Sequence, residues 1–213
     1  MRIPINRIVH FVLSQCNKFK IDETHSLNHA LDVLSVSKAI YNDEVKIYPH
    51  LESQQHIIFT SALVHDICDS KYTDEKKSVN DIKTFLNDNH YTEQDSKAII
   101  DIISTMSYHK VKLNGFPNLE PYQEAYHVVR EADLITAYDF NRMLLYGIHR
   151  IDHSYIDSFH HSKELYMSRV DKHLDDGLLT TQYAKRIAKD LNDIELRNMN
   201  NIDSILKDSC RED

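Results

Sequence analysis

Residues 62–72 read ALVHDICDSKY, and the adjacent His65 and Asp66 end an apolar run made by Ile57, Ile58, Phe59, Ala62, Leu63 and Val64. An imidazole or a carboxylate at the edge of a core costs about 2–7 kcal/mol if it finds no partner, and more if it is charged. The two can pair with each other, or a neighbouring cation or a metal ion can offset the cost. Two other stretches pose the same question. His29 lies among Leu27, Ala30, Leu31 and Val33, and Asp133 sits between Ala132 and Leu134 in VVREADLITAYD. Two histidines and two aspartates offer imidazole nitrogen and carboxylate oxygen, a donor set that suits zinc, manganese, iron or magnesium.

The rest of the sequence points to a helical setting. The 213 residues, 41% hydrophobic and 27% charged, are enough to bury a sizeable core in one domain. Three glycines and four prolines supply too few breakers for a sandwich or barrel, which needs one about every 8–12 residues, so the chain is expected to be all-α. A net charge of −8 argues against a protein that coats nucleic acid or an anionic membrane, while leaving room for a local basic pocket. Cys16, Cys68 and Cys210 are odd in number and form no CxxC pair, so neither a disulfide framework nor a thiolate zinc site is indicated. The stretch MRIPINRIVHFVLSQCNKF lacks the continuous apolar segment of a signal peptide, and the expected location is the cytoplasm.

Apolar spacing places the elements. Ile5, Ile8, Val9, Val12 and Leu13 mark a first helix; Leu27 to Ala39 a second, broken near Pro49; and residues 52–67 a third that carries the His-Asp pair at its end. Ile82, Phe85 and Leu86 mark a fourth helix, and Ala98, Ile99, Ile102 and Ile103 a fifth, preceded by a capping arrangement at Thr92 and Asp95. YHKVKLNGFPNLEPY, residues 108–122, holds two of the prolines and reads as the longest irregular loop. One long helix is expected over residues 123–150, then a segment over 154–174 and a final helix through Ala184 to Ile194. No repeat and no linker stands out, so a single domain spanning 1–213 is the working expectation.

The order His29, then His65-Asp66, then Asp133 resembles the H…HD…D signature of the HD-domain metal-dependent phosphohydrolases. THSLNHALDV, ALVHDICDSKY and READLITAYDFNR are similar to the corresponding stretches of the small stand-alone branch that includes nucleotide pyrophosphohydrolases. The likeness covers roughly residues 20–150, the expected core of a helical bundle, with 151–213 as a C-terminal helical extension. It implies that His29, His65, Asp66 and Asp133 ligate one divalent ion, Mn²⁺, Co²⁺, Fe²⁺, Zn²⁺ or Mg²⁺, and that an activated water hydrolyses a phosphate ester or anhydride. His25, one helical turn before His29, would contact phosphate or water; Asp69 would orient or deprotonate the water; Lys71 would neutralise phosphate charge. Lys110 and Lys112 are further cations for that purpose. The partners implied are a small phosphorylated substrate of nucleotide type and at most a second copy of the chain, with no nucleic-acid polymer and no membrane.

Plainer readings stand beside each assignment. His65 and Asp66 can be a structural pair, Asp133 the ion-pair partner of Arg130, His25 a neighbour of a helix cap, and Lys71 a solvated loop lysine. His149 and His153 form an i,i+4 pair but lack the glutamate of HExxH, and His160 and His161 fit a polar helix face. His90 and His109 would matter only in a di-iron oxygenase of HD type. A non-catalytic module that binds nucleotide or metal is the other alternative.

Overall fold

In a computed structural model the described residues are 3–22, 24–69, 71–151 and 154–209, so His153 and Cys210 lie outside them. All regular structure among these residues is helical, as the scarcity of glycine and proline implies. The chain divides into two compact units, Met1–Asp133 and Leu134–Asp213.

The first unit is built around α3 (Leu51–Val64), in which every residue from Ile57 to Val64 is buried. A helix apolar on all sides can be satisfied only by neighbours on all sides. These are α1 (Ile5–Phe19), α2 (Leu27–Glu44) and α5 (Glu93–Thr105). Between α3 and α5 lie a 3₁₀ turn, His65–Cys68, and α4 (Glu75–Asp88). The α4 cap is Asp74, which accepts from Lys77 N–H, and the α5 cap is the expected Thr92, which accepts from Asp95 N–H at 3.0 Å. α6 (Tyr108–Asn114) and α7 (Gln123–Thr136) follow, the unit boundary falling near the end of α7.

The second unit contains α8 (Phe140–Ile151) and α9 (Tyr155–Leu165), which continues into a π-helical turn, Tyr166–Val170, and then α10 (Gln182–Ser209). Buried rings of Tyr138, Phe140, Phe159 and Tyr166 meet edge to face with centroids 5.6–6.2 Å apart. Gly147 of α8 faces Ser158 and Ser162 of α9, small residues that let the two helices approach closely.

Three expectations need correction. α3 stops at Val64, and His65 and Asp66 stand on the 3₁₀ turn beyond it. Residues 108–122 are not all loop: Ser107 caps α6 by accepting from Lys110 N–H, and Gly115, at φ +73°, ends it, so the breakers act only on the later half. The long helix expected over 123–150 is two helices. Asp139 accepts from the N–H groups of Asn141 and Arg142, and this cap starts α8 afresh.

α7 also carries a charged cluster in the interior. The guanidinium of Arg130 lies 3.0 Å from the carboxylate of Glu131, both fully buried, and Phe116 covers it at 4.7 Å. His127 sits against them, its ring facing Arg130 and the Gln123 amide. Burial, then the nearby Arg130, push its pKa down to about 4. Because the fold holds this ring neutral, its stabilisation is complete above the unfolded value of about 6.5 and is lost as the pH falls toward 4. The midpoint of denaturant unfolding should therefore drop between pH 7 and pH 4.5. In His127→Gln, which has no ring to protonate, the drop should be smaller; an equal drop in both proteins would place the acid sensitivity elsewhere.

Candidate metal centre

Four side chains from three parts of the first unit converge. His29 comes from the first turn of α2, where its ring lies 2% exposed; His65 and Asp66 come from the 3₁₀ turn; Asp133 comes from the last turn of α7. His29 Nε2 and His65 Nε2 stand 3.2 Å apart. Asp66 spans both, Oδ1 3.3 Å from His65 Nε2 and Oδ2 3.3 Å from His29 Nε2. Asp133 Oδ1 completes the group at 3.3 Å from His29 Nε2 and 3.7 Å from His65 Nε2.

These spacings can be tested against a single ion. Two donors each about 2.1 Å from one ion lie about 3.0 Å apart at a right angle and about 3.4 Å apart at the tetrahedral angle. Four of the five observed separations, at 3.2–3.3 Å, fall between the two, and the fifth, His65 Nε2 to Asp133 Oδ1 at 3.7 Å, is wider than either. The protonation pattern agrees. His65 Nδ1–H donates to the Ala62 carbonyl at 2.9 Å, which leaves a lone pair on Nε2, the arrangement by which a ligating histidine is oriented. Asp66 Oδ2 is buried with no hydrogen-bond donor among the described residues. Such an atom marks a place for a positive charge.

The electrostatics point the same way. Burial disfavours ionised Asp66, yet the imidazoles of His65, His29 and His25 outweigh it and hold the carboxyl well below its ordinary range. Asp133 is likewise held low against burial by its contacts with His29 and His65. For His65, burial opposes the charged form, and Asp66 and Asp133 raise its pKa well above the ordinary value. A pair of partly buried carboxylates beside two buried imidazoles thus favours a cation, whether a proton or a metal ion. The group of buried His29 and His65 with partly exposed Asp133 can hold a metal ion.

The other expected residues fall into two classes. His25 lies beside the centre, its ring centroid 6.1 Å from that of His29. Asp69 follows the 3₁₀ turn directly, and its Oδ1 accepts Lys71 N–H at 2.9 Å, turning the chain. Lys71 is half exposed, its ammonium 3.7 Å from Asp69. Lys110, by contrast, is engaged with Glu75 at 2.8 Å and the Ser104 carbonyl at 2.9 Å. Arg130 is paired with Glu131, while the Asp133 carboxylate faces His29. His90 and His109 are exposed. Among the described residues no further group of metal-ligating side chains forms around them or around His149, His160 and His161.

The structure adds Asp22, Thr24 and Tyr72, which surround His25. Thr24 Oγ1 and Tyr72 Oη lie 2.8 and 3.0 Å from His25 Nδ1, and Tyr72 Oη–H donates to Asp22 Oδ2 at 2.8 Å. Asp22 and Thr24 are sequence neighbours of His25, whereas Tyr72 reaches it only through folding.

No protein-family model and no curated protein matches the chain. Among solved structures, a crystal structure of a Lactobacillus plantarum protein, a Northeast Structural Genomics target, is similar, with a TM-score of 0.70 and 18% identity over 95% of this chain and 96% of that one. At that identity the likeness concerns the helical fold alone.

The protein should take up one Mn²⁺ per chain in equilibrium dialysis and melt at a higher temperature when loaded, since an ion that binds only the folded state stabilises it by mass action. His65→Ala and Asp133→Ala should each lose that uptake and that shift. Stoichiometric uptake by both variants would remove the ion from this site.

Proposed function

We propose that the chain is a metal-dependent phosphohydrolase of the HD type, acting on a phosphate ester or phosphoanhydride of a small nucleotide-like molecule. The observation that carries this reading is the meeting of His29, His65, Asp66 and Asp133, in H…HD…D order along the chain, within 3.2–3.7 Å of their neighbours. A divalent ion held there would polarise a phosphoryl oxygen and make water nucleophilic near neutral pH. The protein's own groups supply the rest. Asp66 and Asp133 would bring negative charge to balance the ion, and His29 and His65 would present neutral nitrogen. Lys71, on a half-exposed stem, would meet the phosphate as a compact cation. Asp69 and His25 are the groups on this rim suited to orient water and take its proton. The single ligand group among the described residues, with His90 and His109 exposed, favours one ion over the paired irons of an oxygenase.

The test is turnover of purified protein against a panel of nucleoside phosphates and phosphate monoesters. Chelation should abolish activity and Mn²⁺ or Co²⁺ should restore it, while Asp66→Ala should lose both metal and turnover. A panel giving no metal-dependent turnover would leave a binding module. Asp133→Asn should keep partial metal, because an amide oxygen still coordinates weakly.

Lys71→Ala separates the site from its surroundings. An exposed lysine contributes within about 0.5 kcal/mol to stability, so melting temperature and metal content should hold. If the ammonium faces phosphate, kcat/KM should fall at least about tenfold, which corresponds to about 1.4 kcal/mol of barrier. Parental kinetics would return Lys71 to the solvated loop.

A further inference from the structure

We propose that Asp22, acting through the hydroxyls of Tyr72 and Thr24, fixes His25 in the tautomer with its proton on Nδ1, so that Nε2 carries a lone pair and serves as the proton acceptor of the site. The tautomer stands on geometry alone; the catalytic part rests on the hydrolytic reading above.

The argument follows the protons. Asp22 has only acceptors to offer as a carboxylate. It takes Thr24 N–H and Thr24 Oγ1–H on Oδ1, and Tyr72 Oη–H on Oδ2. Each hydroxyl has one proton, and both protons point to Asp22. What each oxygen then turns toward His25 is a lone pair. His25 Nδ1, 2.8 Å from Thr24 Oγ1 and 3.0 Å from Tyr72 Oη, must be the donor in both contacts. Were it unprotonated, three lone pairs would face one another at hydrogen-bond distance. The Asp22 carboxylate, 3.7 Å from Nδ1, further favours a proton there. With Nδ1 occupied, neutral His25 has its basic lone pair on Nε2, since the partner of one ring nitrogen decides the state of the other.

The placement gives the tautomer a use. Asp22 and Thr24 lie in the turn between α1 and α2, where Thr24 is 2% exposed, and His25 N–H donates to the Asp22 carbonyl at 3.1 Å, so the imidazole and its acid are held by one turn. Tyr72 comes from the loop that follows the 3₁₀ turn, and its N–H donates to the Asp69 carbonyl at 3.0 Å. The contact between Tyr72 and Asp22 therefore links the segment before His29 to the segment after Asp66. Tyr72, Thr24 and Asp22 are positioning residues: none needs to meet the substrate, and their effect passes through His25. In the proposed step the attacking water gives its proton to His25 Nε2 as its oxygen bonds to phosphorus and the leaving oxygen departs with the other electron pair. His25 then returns the proton to solvent.

Asp22→Asn gives a directional test. The side-chain oxygen can still accept from Thr24, while the new amide N–H₂ points at Tyr72 Oη and turns that hydroxyl's proton toward His25 Nδ1. The tautomer should invert to Nε2–H. The nitrogen-15 spectrum of protein labelled at histidine, with the His25 signals identified by their loss in His25→Gln, should show protonated Nδ1 and bare Nε2 in the parent. It should show the reverse in Asp22→Asn and a mixture in Tyr72→Phe. Both variants should keep melting temperature and Mn²⁺ uptake, and both should lower kcat at least tenfold with KM little changed. A parent spectrum with Nε2–H, or a spectrum unmoved in both variants, would overturn the tautomer. An altered spectrum with parental kcat would overturn the role of His25 as proton acceptor. Should the parent turn over no phosphate compound, the hydrolytic reading fails and the acceptor role with it, whereas the nitrogen spectrum still decides the tautomer.

Discussion

Two carboxylates and two imidazoles share a space of a few ångströms inside the first unit, and no arrangement of the four alone settles their charges. Asp66 and Asp133 are held ionised against burial, and a positive charge the protein can supply there is a proton on His65. That proton and a metal ion want the same place, since the lone pair one occupies is the lone pair the other needs. Much of the surrounding architecture reads as support for this conflict. The last two turns of α3, Ile57–Val64, are buried on every side and so resist rotating to relieve it. α2 and α7 deliver His29 and Asp133 from flanking positions, and the hydrogen bond from His65 to the Ala62 carbonyl prevents the ring from turning away.

The Arg130–Glu131 pair is a contrast, a buried charge that meets its opposite within the chain. There the guanidinium and carboxylate meet at 3.0 Å, and the phenyl ring of Phe116 lies over the cation. Attraction and hydrogen bonding come from the partner, and His127 beside them is driven to neutrality. The pair lies three residues or fewer from Asp133 on α7, and its opposite charges meet within the chain, although Nε and Nη1 of Arg130 are buried with no hydrogen-bond partner among the described residues. The two clusters thus divide α7 into a part whose opposite charges pair within the chain and a part in which two carboxylates face two imidazoles.

How much of this was legible in the sequence depends on where each residue stood. His29, His65 and Asp133 were visible because each interrupts an apolar run, and a polar residue in such a run requires a reason. Asp22, Thr24 and Tyr72 were not, because they lie in polar turns where acids and hydroxyls are commonplace; only folding brings Tyr72 back across fifty positions to Asp22. The same distinction explains the elements. α3 and α5 announce themselves by dense apolar spacing, whereas α6 has one buried residue, Val111, and rests on its Ser107 cap. The break before α8 depends on Asp139, a residue that reads equally well as part of a solvated helical face.

The end of α3 carries an implication for how this protein can change. The last carbonyls of a helix lack partners, and here one of them, that of Ala62, is taken by the ring of His65. Helix termination and imidazole orientation are therefore one event. Adding or deleting a residue between Ile57 and Val64 would swing everything beyond it by about 100° around the helix axis. It would also drag a different side chain under the terminal carbonyls. Length variation along this lineage should accordingly gather in the turns and the C-terminal helices, and α3 should behave as a fixed ruler whose zero mark is His65.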